Sequence, residues 1–128
     1  MDQQSRDDCG RSKRNRPRND AIERGTISLI VEYVEVNYAS QISLRDVAAA
    51  MGYSPAYLTF IFRKRFGVPV TAWIIQRRIA EAQRLLREST AAVSEICGNV
   101  GFNDVCYFTR QFARHVGATP SRYRSMSR

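Results

Sequence analysis

The chain carries one motif twice, and nothing else in it constrains the fold as strongly. The segment LTFIFRKRFGVPVTAW, from Leu58, aligns with FTRQFARHVGATPSRY, from Phe108. A shift of about 50 residues superposes Leu58 on Phe108, Thr59 on Thr109, Phe62 on Phe112, Gly67 on Gly117 and Trp73 on Tyr123. Upstream, Gly52-Tyr53 echoes Gly101-Phe102 with one residue of slippage. The repeated unit reads as a helix-turn-helix. Two such units on a basic chain point to a reader of DNA with two contact points.

The basic balance supports a polyanionic partner. Net charge is +8 over 128 residues. Residues 1–19 hold six Lys/Arg against three Asp, a net of +3, which leaves +5 for the remainder. An apolar fraction of 44% is enough to build a core. No apolar run approaches the roughly 18 residues of a membrane span, and the charged N-terminus has no apolar stretch behind it. A cytoplasmic protein, associated with the nucleoid and free of membrane contact, is expected. Cys9, Cys97 and Cys106 are scattered and odd in number, which argues against a disulfide framework or a zinc site. With His115 as the lone histidine, no metal, cofactor or catalytic constellation is expected, so the chain does not read as an enzyme.

Hydrophobic spacing and cap residues predict seven helices and no strand. Residues 1–20 read as a disordered basic arm, with Pro17 interrupting any helix there. RSKRNRPR within it could track phosphates or could serve only to solubilise the chain. Ile27, Ile30, Val31 and Val34 mark an amphipathic helix over about 22–38, with Glu32 and Glu35 on its wet side. A domain over 21–128 follows. Its first helix-turn-helix covers about 43–67, opening on a Ser43/Asp46 capping box and turning at Gly52 into a helix capped by Ser54 with Pro55 in its first turn. A helix over about 71–88 is expected to act as a rigid spacer. The second helix-turn-helix covers about 93–117, with Asn103 as cap, and a short helix from Thr119-Pro120 follows.

At 100° per residue, Leu58, Ile61 and Phe62 share a core side, as do Phe108 and Phe112. The opposite faces carry Ala56, Thr59 and Phe60 in the first unit, and Val105, Cys106, Thr109 and Arg110 in the second. These are the candidates for contact with base edges. Arg110 can donate twice to guanine, and Thr59 and Thr109 can hydrogen-bond or touch a thymine methyl. Phe60 could pack on a thymine methyl or fill space against Trp73. Cys106 offers a small, weakly polar contact. Arg45, Arg63, Lys64, Arg77, Arg78, Arg114, Arg122 and Arg124 are the candidates for phosphate contact, which sets register without conveying sequence.

These segments resemble the DNA-binding domain of the AraC/XylS family of bacterial transcription regulators. SLRDVAAAMGYSPAYLTFIFRKRFG looks like that family's first helix-turn-helix, and QRRIAEAQRLLREST its linker helix. AVSEICGNVGFNDVCYFTRQFARHVGATPSRYR is similar to the signature second unit. The resemblance implies an all-α, seven-helix fold of two homeodomain-like subdomains joined by the linker helix. It also implies two recognition helices in adjacent major-groove segments of double-stranded DNA, and an activator that contacts RNA polymerase. The small stand-alone members it looks like bind DNA as monomers. Where those members show Trp and Arg on the first recognition helix, this chain has Ala56 and Phe60. Two rivals stand beside the regulator: a DNA binder of weak specificity, and a module that has kept the fold but engages a protein.

Overall fold

Side-chain caps open four of the helices, at Ser43, Ser54, Asp104 and Thr119. In the computed structural model, which describes residues 12–128 and side chains from Asp20 onward, seven helices and no strand occur among the described residues. They are α1 (Ser12–Asn37), α2 (Leu44–Met51), α3 (Pro55–Phe66), α4 (Val70–Glu88), α5 (Val93–Asn99), α6 (Val105–Val116) and α7 (Pro120–Met126). Ser43 opens α2 with a reciprocal capping box. Its hydroxyl accepts from the Asp46 N–H at 3.3 Å, and its own N–H donates to the Asp46 carboxylate at 2.8 Å. Ser54 caps α3 by accepting from Tyr57, with Pro55 at the first helical position. Gly67 ends α3 and Gly117 ends α6, both in the left-handed region at φ 77° and 93°. A residue with a Cβ is strained there, so the repeated glycines are repeated helix stops.

Two boundaries differ from expectation. Helix α1 begins at Ser12, so residues 12–20 of the expected arm belong to a helix. Pro17 does not stop it. Residues 1–11 of the expected arm lie outside the described residues. The cap of α6 is Asp104, not Asn103: its carboxylate accepts from the N–H groups of Cys106 at 2.9 Å and Tyr107 at 3.3 Å. A carboxylate also interacts more favourably with the positive helix end than an amide does. Ser54 and Asp104 thus fall at matching positions of the repeat.

The helices enclose two cores in sequence. The first gathers Ile27, Ile30 and Val34 of α1, Val47 and Ala48 of α2, and Leu58, Ile61 and Phe62 of α3. The second gathers Ile96 and Cys97 of α5, Val100, Phe102, and Phe108 and Phe112 of α6. Helix α4 closes both: Val70 and Ile74 enter the first, and Ile79, Ala82 and Leu86 the second. It is therefore not a bare spacer. One half of its buried stripe belongs to each unit, and each large buried side chain contributes about 1.5–3 kcal/mol. The repeat is kept in ring geometry as well. Trp73 meets Phe62 edge-on at 5.5 Å and 80°, and Tyr123 meets Phe112 edge-on at 5.5 Å and 70°.

Candidate nucleic-acid interface

With Leu58, Ile61 and Phe62 turned inward, α3 presents the rest of its circumference to solvent. Ala56, Phe60 and Arg63 are exposed and Thr59 is half-buried. Phe108 and Phe112 orient α6 in the same way. Val105, Cys106 and Arg110 are exposed, with Thr109 and Ala113 half-buried beside them. Each unit thus brings its candidate base-contacting residues together on one outward helix face, directly behind a side-chain cap.

The two faces differ in chemistry. Phe60 is 61% exposed, so it does not fill a gap against Trp73. That packing is done by Phe62 and by Phe66, whose ring lies 4.7 Å from Trp73. The Lys64 ammonium lies 5.4 Å above the Phe60 ring and pairs with Glu23 at 2.8 Å. The hydrogen bond to Glu23 pushes the Lys64 pKa up, so this lysine stays charged. On α6 the Arg110 guanidinium lies 5.9 Å from the ring centre of Tyr107, one helical turn back. Tyr107 and its repeat partner Tyr57 were not singled out from sequence. The same shift that pairs Thr59 with Thr109 would have found them. Cys106 is exposed, whereas Cys97 is buried, and burial raises its thiol pKa and keeps it protonated.

The eight candidate phosphate ligands divide into two groups. Arg45, Arg63, Arg114 and Arg122 are exposed and have no side-chain partner among the described residues. The others are engaged within the fold. Arg77 forks onto Glu35 with bonds of 2.8 and 2.9 Å and lies 4.4 Å from the Tyr38 ring centre. That bond raises the Arg77 pKa and lowers that of Glu35. Arg78 donates to the carbonyl oxygens of Tyr38 at 2.7 Å and Ser40 at 2.9 Å. Arg124 donates to the carbonyl oxygens of Leu86 at 3.1 Å and Ser89 at 3.2 Å, tying α7 to the end of α4. Lys64 is held by Glu23 as above. Arg77, Arg78 and Arg124, expected as phosphate ligands, thus each have partners within the fold. The guanidinium has five donors in a planar fork; Arg77 uses its fork on the Glu35 carboxylate, and Arg78 and Arg124 use theirs on carbonyl oxygens that helix ends and turns leave open.

Known proteins are similar to this chain in sequence and in fold. A family model described as a helix-turn-helix domain matches residues 47–126. The HTH-type transcriptional activator AarP of Providencia stuartii is 33% identical over 103 residues, covering 80% of this chain and 76% of that protein. The arabinose operon regulatory protein of Escherichia coli is 34% identical over 95 residues, covering 73% of this chain and 32% of that protein. Several relatives are longer proteins, of which the chain spans between 31% and 56%. Among solved structures, the DNA-binding domain of AdpA in complex with a target DNA superposes with a TM-score of 0.74 at 28% identity, covering 77% of this chain and 89% of that one. The repeated units, their outward helix faces and these matches together show that the chain belongs to the AraC-type helix-turn-helix family of DNA-binding transcription regulators.

Proposed function

We propose that the chain recognises a specific double-stranded DNA sequence by inserting α3 and α6 into adjacent major-groove segments, as a monomer, and activates transcription in contact with RNA polymerase in the bacterial nucleoid. The observation that carries this reading is the paired exposure of the two helix faces, each turned outward by its own aromatic core. The AdpA domain, whose structure was solved on its target DNA, lends the fold-level support for duplex binding. The name of AarP supports activation.

In this reading Arg110 donates to a guanine, and Thr109, Cys106 and Val105 line the same groove. Ala56, Thr59 and Phe60 make a nearly apolar contact in the other segment, suited to thymine methyl groups. Arg45, Arg63, Arg114 and Arg122 hold the backbone.

Selection of bound sequences from a random duplex pool at physiological salt, followed by footprinting, tests the reading. The expected motif has two informative blocks about one helical turn apart. A motif with only the Arg110 block would make α3 an anchor. Absence of any enriched motif would overturn sequence-specific reading in favour of phosphate-held binding or a protein partner.

A further inference from the structure

Besides sharing α4, the two units meet at a small polar junction beside the N-terminal end of α6. The turn between α1 and α2 approaches the turn between α5 and α6, and Arg78, from the middle of α4, lies between them. Arg78 holds the first turn through the carbonyl oxygens of Tyr38 and Ser40. Its guanidinium also lies 5.6 Å from the ring centre of Phe102 in the second turn. Gln41 completes the bridge: its amide donates to the Gly101 carbonyl oxygen at 2.8 Å and its own oxygen accepts from Asn103 at 3.3 Å.

The approach is close enough to restrict residue choice. A Cβ at Gly101 would lie 2.5 Å from the Tyr38 carbonyl oxygen and 2.7 Å from Arg78 Nε. Gly101 also has φ 107°, a conformation that favours glycine. This is where the repeat slips by one residue. In the first unit Gly52 is the left-handed cap of α2 and a Cβ there would meet nothing. In the second unit Val100 ends α5 and the glycine is displaced into the junction.

We propose that this junction of Arg78, Gln41 and Gly101 sets the angle and distance between α3 and α6, and so determines which spacing between the two half-sites the protein accepts. A shared helix alone leaves two domains free to bend and twist about it. A second attachment to one side of that helix removes those freedoms. One added or deleted base pair moves the second half-site by about 3.4 Å along the axis and turns it by about 34°. A clasped pair of helices cannot follow that displacement, whereas an unclasped pair can. Arg78 and Gln41 act here as positioning residues, and the assignment rests on the bipartite reading above.

The test compares Arg78→Gln and Gln41→Ala with the unaltered chain on the selected duplex and on versions with one base pair inserted or removed between the blocks. Unaltered protein should lose about tenfold or more in affinity for either altered spacer. The variants should bind the three duplexes within about threefold of one another, while melting as cooperatively as the parent. A uniform drop that keeps the parent's preference would overturn the proposal, because loss of stability or of a phosphate contact acts on all spacers alike.

The free protein provides an independent readout. In a Cys9→Ser, Ala56→Cys background, spin labels on residue 56 and on the native, exposed Cys106 report the separation of α3 and α6. The parent should give a narrow distance distribution, and Arg78→Gln should broaden or shift it. An unchanged distribution would refute the clasp. Indifference of the parent to spacing, with a distribution that broadens in Arg78→Gln, would refute bipartite reading and leave the clasp standing as a structural device.

Discussion

Phe112 and Tyr123 meet edge to face with ring centres 5.5 Å apart, and this contact orients the second unit's outward helix. Phe112 is fully buried and Tyr123 comes from α7, so α6 is held from behind by a helix that has no part in its outward face. Truncating Phe112 to Ala should cost about 3–5 kcal/mol, through a cavity and the loss of the ring pair. Chemical denaturation followed by circular dichroism measures it. A variant as stable as the parent would mean that the core side of α6 has been misassigned.

Arg110 and Arg63 separate reading from anchoring. Arg110→Ala should relax preference at a single base pair by about 1–3 kcal/mol, and Arg63→Ala should weaken all sequences alike and reduce the salt slope by about one. Competition binding against single-base variants of the selected site, repeated across salt concentrations, distinguishes them. Equal loss on every sequence for Arg110→Ala would rule out direct base contact by that side chain.

The cap of α6 can be tested by neighbouring substitutions. Asp104→Ala should destabilise the chain by about 1 kcal/mol, since two N–H groups lose their acceptor. Asn103→Ala, which removes an exposed side chain bonded only to Gln41, should change stability by no more than about 0.5 kcal/mol. Thermal melts of the two variants in parallel decide between them, and the reverse ranking would restore Asn103 as the cap.

The Glu35–Arg77 fork predicts a specific acid sensitivity. Arg77 holds the Glu35 pKa below its ordinary value of 4.5, so the folded state binds this proton less readily than the unfolded chain. The stabilisation is therefore present above that ordinary value and is lost as pH falls through the lowered one. Because Glu35 is 58% exposed and screened by solvent, the contribution is at the surface-pair scale of about 0.2–1 kcal/mol. Glu35→Gln should melt lower than the parent at neutral pH and converge with it in acid. A gap that persists at pH 3 would point to packing instead of the ion pair.

Local features of the sequence foretold local structure well. The Ser43 box, the Ser54-Pro55 start and the repeated glycine stops each act within one helical turn, and each is present. The α3 and α6 faces were legible because one buried stripe determines the direction of every other side chain on a helix. Asn103 and Asp104 were harder to tell apart: both are good caps, and which is used depends on the path of the preceding turn, which the junction with Gln41 shapes.

The arginines mark where sequence reading ends. Sequence alone determined that the chain would form paired helix-turn-helix units with two aromatic-backed outward faces, because periodicity and caps are short-range and the repeat states them twice. Only the tertiary structure decided that Arg45 and Arg63 face solvent while Arg77, Arg78 and Arg124 turn to a carboxylate and to carbonyl oxygens 35 to 42 residues away. A guanidinium on a long flexible stem can serve a phosphate, a carboxylate or an open helix end equally well. Its partner is chosen by which of these the folded backbone brings within about 3 Å, and that proximity arises only from how the two cores stack along α4.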